Sequence, residues 1–260
     1  MSKLIDRLNR VTHSAPQSIG FRTSRAEVAP VMQLIVRVVG DVVPSSRRLK
    51  GADAVVVTVT AITSGTVRLK KLTKKTPDIV WGASLEAKSR DNLEKTVKLG
   101  ADFVLFPAAG TPVSVPPEDG AAVILEIEAS TSDTVLVTVN DAPVDAVLVR
   151  DEERNDEPLT WAGMLRLQRV AKLLNLPLLV AVPATVAAGE LRVLSEAGIT
   201  GIVVDIGGEA ANDLVAGLRR MINGIPAPVR KHRRAEAMVP RVTQETVAVD
   251  DNLEEEDGFD

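Results

Sequence analysis

The chain has 260 residues, with 31 Lys and Arg against 35 Asp and Glu, two His, no Cys and no Tyr. Without Cys there is no disulfide framework, thiolate metal site or Cys nucleophile, and His13 and His232 both lie in polar flanks, which leaves the interior no imidazole ligand or base. A formal net charge of -4 is too small to steer the protein toward nucleic acid, so no nucleic-acid partner is expected, and an apolar share of 45% is ample for a core.

Residues 1–27 form a lead-in. Its opening, MSKLIDRLNRV, carries charges throughout and lacks the apolar run of about 7–15 residues that marks a secretory signal. Leu4, Ile5, Leu8 and Val11 instead trace one face of a short amphipathic helix. No apolar run approaches the roughly 18 residues that span a bilayer. A cytoplasmic protein with no membrane partner is therefore expected.

Residues 28–226 carry an internal repeat. Gly51-Ala-Asp-Ala-Val-Val-Val57, Gly100-Ala-Asp-Phe-Val-Leu-Phe106, Pro143-Val-Asp-Ala-Val-Leu-Val149 and Gly198-Ile-Thr-Gly-Ile-Val-Val204 share one design: a turn residue, a small polar residue, then a continuous apolar run. Such runs read as parallel strands buried on both faces. Four more fall between them, at Leu34–Val39, Ile79–Ala83, Val123–Glu128 and Leu178–Val182. The intervening segments Arg90–Leu99, Thr160–Leu174, Ala187–Ala197 and Ala210–Ile222 place apolar residues at helical spacing, Thr160 being a candidate cap. Strand alternating with helix eight times predicts an α/β fold, a single (β/α)₈ barrel of the TIM type.

Two crossovers break the pattern. Pro107–Gly120 holds four prolines and cannot be one helix, and Val42–Lys50 has room for two turns only. Ser132–Asp141 reads as a helix because the barrel needs a crossover there, although its Thr-Val-Leu-Val-Thr-Val string also suits a hairpin. Residues 227–260 are expected to lie outside the barrel. They join a basic linker (Arg230, Lys231, Arg233, Arg234) to an acidic stretch from Glu245 to Asp260, a composition that cannot offset its ordering entropy by burial.

In such barrels reactive groups stand at the C-terminal ends of strands. Those ends carry Arg37, Thr58, Ser84, Glu126, Glu128, Arg150, Asp151, Asp205, Gly207 and Gly208, with no Lys for a Schiff base. Glu126 and Glu128 are two apart, so both point inward while Val123, Leu125 and Ile127 meet the helices. Each buried carboxylate needs a cation. Two readings stand: an internal Glu–Arg salt bridge, or a functional carboxylate at Glu128. Asp53, Asp102 and Asp145 precede strands and read as bottom-face turn or cap residues; Trp81 and Trp161 read as packing.

Glu126-Ile-Glu128 followed by Val144-Asp-Ala-Val-Leu-Val-Arg150-Asp151 resembles the metal-binding pattern of the pyruvate kinase and citrate-lyase-type phosphoenolpyruvate/pyruvate barrels. That resemblance implies Glu128 and Asp151 as ligands of Mg²⁺, the one cofactor it suggests. The chain departs from it in having Glu126 where pyruvate kinase has Lys and in lacking the Gly before the Asp. Asp205-Ile-Gly207-Gly208, leading into a helix, resembles half of the phosphate-binding site of (β/α)₈ barrels; the loop after the seventh strand, which should supply the other half, has no Gly.

Two functions follow from this inventory. One is a lyase or isomerase acting on a small anionic metabolite, with Arg37 or Arg150 holding the anion, Glu128 reacting, and Ser84, Asp205, Gly207 and Gly208 lining the substrate. The other is a catalytically inert barrel that binds or assembles through its termini and outer face, as a homo-oligomer if the Pro-rich fourth crossover leaves an apolar patch uncovered.

Overall fold

A computed structural model describes residues 2–12, 30–40, 44–59, 79–85, 90–114, 120–151, 157–207 and 213–226. The chain divides into two compact units, Met1–Pro228 and Val229–Asp260, and every described residue lies in the first. The expected basic linker and acidic tail, both His, and Gly208 fall outside the described residues.

All eight apolar runs are parallel strands: β1 (Gln33–Val38), β2 (Ala54–Val59), β3 (Val80–Leu85), β4 (Phe103–Pro107), β5 (Ala122–Glu128), β6 (Ala146–Arg150), β7 (Leu178–Val182) and β8 (Gly201–Ile206). Each pairs with the next, and β1 pairs with β8, closing the barrel. The described helices are α1 (Lys3–Thr12), α2 (Arg90–Lys98), α3 (Asp133–Val139), α4 (Trp161–Leu173), α5 (Ala188–Glu196) and α6 (Leu214–Asn223). Residues 132–141 thus adopt the helix the crossover requires, burying Leu136 and Val139. No helix is found among the described residues of the Pro-rich segment between β4 and β5.

Local chemistry accounts for the punctuation. Thr160 Oγ1 accepts from Gly163 N at 3.1 Å and caps α4. Gly100 and Gly198, with φ of 92° and 96°, each follow a helix and open a strand run; no atom crowds either Cβ position, so backbone conformation rather than space explains the glycine. The Asp of the repeat ties the bottom face together. Asp53 Oδ2 accepts from Leu34 N and Asp145 Oδ2 from Val123 N, each at 2.7 Å, so the turn before one strand is fastened to the start of its neighbour.

Strand alternation sorts the apolar residues into two cores. The outer one, including Val36, Val55, Val104, Val147, Val180 and Val204, meets the helices. The inner one fills the lumen with Ile35, Val56, Phe103, Ile124, Leu148 and Val203. Gly82 makes room there, because a Cβ on it would stand 2.5 Å from the Phe103 ring.

The amphipathic helix expected in the lead-in is a working part of the barrel. Leu4 and Leu8 of α1 are fully buried in the lumen cluster, sealing the bottom of the barrel. Asp102 anchors the helix start, accepting from Ser2 Oγ (2.7 Å), Lys3 N (2.8 Å) and Leu4 N (3.0 Å). A carboxylate at that position satisfies N–H groups the helix cannot satisfy itself. A cleft of about 840 Å³ lined by Lys3, Asp6, Asn9, Trp81, Asp102 and Asp145 runs along this seal.

Candidate functional site

The third inward position of the strands changes from apolar to charged. Above the lumen core stand Arg37 (β1), Thr58 (β2), Ser84 (β3), Glu126 (β5), Arg150 (β6) and Asp205 (β8), all at the C-terminal ends. Arg37 and Asp205 are Cα partners across the β1–β8 closure, and their side chains form a fork: Nε to Oδ1 and Nη2 to Oδ2, both 2.7 Å. Arg37 Nη1 lies 3.5 Å from Glu126 Oε2, and Arg150 Nε donates to Glu126 Oε1 at 2.7 Å. The four groups form one chain, Asp205–Arg37–Glu126–Arg150.

Burial decreases from the middle of that chain outward. The Arg37 side chain is 8% exposed and Glu126 15%, against 34% for Arg150 and 46% for Asp205. A buried guanidinium needs this many acceptors, since desolvation costs several kcal/mol per ion unless close partners compensate. Arg37 and Glu126 therefore form the internal Glu–Arg salt bridge that was one of the two sequence readings. Ser84 is 7% exposed.

Glu128 and Asp151 go separate ways. Glu128 is exposed, and its Oε2 accepts from Ser130 Oγ at 3.0 Å. Asp151 turns to the outer layer, where Arg166 Nη2 of α4 lies 3.3 Å and 3.1 Å from its two oxygens, and its side chain is only 5% exposed. A divalent ion needs several converging oxygens. Among the described residues no group of three His, Asp or Glu converges in that way. The donor set that the pyruvate-kinase resemblance implies does not fit Mg²⁺, because Asp151 is already neutralised by Arg166.

Gly207 follows β8 with open space at its Cβ position. The described helix α6 runs from Leu214, and residues 208–212, where the sequence expects the helix to begin, lie outside the described residues. Trp81 is 9% exposed and packs in the outer core, as expected. Trp161 corrects the expectation: it is 82% exposed at the start of α4. The spacing that picks out Met164, Leu167 and Leu174 already leaves Trp161 and Leu165 off the buried stripe. The Arg166–Asp151 and Arg37–Asp205 pairs had no comparable signal, since each depends on which strands and helices become neighbours.

No helix among the described residues is long and apolar enough to cross a membrane. No family model and no curated protein matches the chain. Solved structures do. A mutant tryptophan synthase alpha-subunit from Pyrococcus furiosus matches with a TM-score of 0.57 at 14% identity, covering 74% of this chain and 96% of that one. The N-(5'-phosphoribosyl)anthranilate isomerase of the same organism matches with a TM-score of 0.55 at 16% identity, covering 75% and 100%. At that identity the likeness establishes the closed (β/α)₈ fold.

Proposed function

We propose that the barrel binds a small anionic metabolite at its C-terminal mouth and acts on it as a lyase or isomerase. The observation that carries this reading is the Asp205–Arg37–Glu126–Arg150 chain set above an apolar lumen, with its outer members half open to solvent. Arg150 takes the anion: Glu126 holds its Nε edge, which leaves the terminal nitrogens for a carboxylate or phosphate. Arg37, occupied by two carboxylates, is a positioning residue that aligns Glu126 and Asp205. Ser84 and Asp205 line the substrate, with Gly207 at the rim, and exposed Glu128 is the carboxylate available to move a proton. The matched isomerase and tryptophan synthase subunit add a precedent for small-molecule chemistry on this fold, which by itself does not specify function. No step is routed through a metal.

Thermal shift with a panel of small carboxylates and phosphate esters tests the reading. Saturation at 100 times Kd stabilises by about 2.7 kcal/mol. A ligand-dependent shift that Arg150→Ala abolishes supports it; a panel without effect on the wild type, or an undiminished shift in the variant, overturns it.

A second reading, an inert assembly barrel, draws on Trp161 and Leu165 of α4 and Val135 and Val137 of the adjoining α3, each at least half exposed. Gel filtration at two concentrations tests it: a monomer at both counts against assembly through this face.

A further inference from the structure

At the barrel mouth, β5 and β6 hold two opposite charges side by side without pairing them. Glu128 and Arg150 are Cα partners in the parallel ladder, and both continue the inward alternation of their strands. Neighbouring strands are about 4.8 Å apart, close enough for a direct ion pair. The two side chains take other partners: Glu128 Oε2 accepts from Ser130 Oγ at 3.0 Å, and Arg150 Nε donates to Glu126 Oε1 at 2.7 Å. An anchored carboxylate and an anchored guanidinium are thereby presented next to each other.

Three further features bear on what bridges them. First, among the described residues Asp205 and Glu128 are the more exposed charges at the strand ends, whereas Arg37 is closed in by Asp205 and Glu126. A plain anion on Arg150 is weakened by these neighbouring carboxylates, whereas a ligand with a cation beside its carboxylate is attracted by both signs. Secondly, the next strand, β7, carries the small and partly exposed Ala181 one residue beyond the Val149–Val180 pair, so the strand itself sets no bulky side chain beside Arg150. Thirdly, across the mouth Ser84, 7% exposed, places a hydroxyl at the same end of the barrel. A hydroxyl can donate to or accept from a polar ligand atom.

We infer that the mouth takes an amino acid or a closely similar zwitterion, with its carboxylate on Arg150, its ammonium on Glu128, and its side chain over Ala181 toward Ser84. This rests on the assignment of Arg150 as the anion-holding residue and narrows the substrate class from any small anion to one bearing an adjacent ammonium.

The experiment is calorimetric titration of the full chain with matched pairs differing only in the ammonium: alanine against propionate, leucine against 4-methylpentanoate, glutamate against glutarate. For at least one pair the amino acid binds about tenfold or more tighter, a difference of about 1.4 kcal/mol. Glu128→Gln brings that ratio to within about twofold, and Arg150→Ala removes binding of both members. Equal or tighter binding of the deaminated acids, or a ratio undiminished in Glu128→Gln, overturns the zwitterion while leaving the anion site standing. Failure of every carboxylate to bind, or wild-type binding by folded Arg150→Ala, removes the anion site and this inference with it. Circular dichroism of each variant separates loss of binding from loss of fold.

Discussion

Arg37 and Glu126 stand on opposite walls of the barrel, on β1 and β5 of an eight-stranded ring, and yet Arg37 Nη1 lies 3.5 Å from Glu126 Oε2. The long Arg side chain crosses the lumen above the apolar core, where Asp205 holds one edge of its guanidinium and Glu126 the other. The two walls are thus joined by a buried ion pair that also orders the mouth. Glu126 and Glu128, two residues apart on one strand face, have opposite surroundings: one is half-buried between two guanidiniums, the other is exposed beside Ser130.

That difference predicts unequal consequences. Glu126→Ala takes one of its carboxylates from the buried Arg37 guanidinium, which keeps the Asp205 fork, and removes the Arg150 bond, at a cost of about 1.5–3 kcal/mol. Glu128→Ala removes an exposed carboxylate and stays within about 0.5 kcal/mol of wild type. Urea midpoints at constant m-value are the measurement; equal losses in the two variants would contradict the assignment of Glu126 as the structural carboxylate.

Millimolar Mg²⁺ is expected to leave the wild-type midpoint where it is, because Arg166 occupies Asp151 and no group of three His, Asp or Glu converges among the described residues. Denaturation with Mg²⁺ and with EDTA checks this.

Gly82→Ala forces a methyl group to 2.5 Å from the Phe103 ring inside the lumen. Overpacking of this kind costs about 1–3 kcal/mol. Phe103→Leu removes the ring edge that the methyl meets, so the double variant is expected to lose less than the sum of the single losses. A double-mutant cycle reads that coupling.

Leu8→Ala opens a cavity where α1 enters the barrel and is expected to cost about 2–5 kcal/mol. Asp102→Ala removes the anchor of the same helix at about 0.5–2 kcal/mol, the range for a lost helix cap. Hydrogen exchange of α1 amides should accelerate in both variants relative to those of β5.

The two tryptophans report on opposite environments. With Trp161→Phe, the remaining Trp81 fluorescence should be blue-shifted and shielded from acrylamide; with Trp81→Phe, that of Trp161 should be red-shifted and fully quenchable. Shielding of Trp161 that disappears on dilution would mark its face as a contact between copies.

The amino-acid sequence by itself determined the strands, most of the described helices, the bottom-face role of the repeated Asp, and the inward direction of Glu126 and Glu128. Each follows from local rules: the two-residue period of a strand, the helical spacing of apolar residues, and the φ that a helix-ending glycine adopts. Only the tertiary structure decided who meets whom. The Arg37–Asp205 fork exists because β1 closes on β8, the Arg37–Glu126 contact because the closed ring brings opposite walls within reach of one side chain, and the Arg166–Asp151 pair because α4 packs against the end of β6. Helix α1 is the plainest case. Its pattern announces an apolar face, but the lumen that receives Leu4 and Leu8 is assembled from strands far along the chain. Ion-pair choice and docking depend on register and closure, which are properties of the whole barrel and of no single segment.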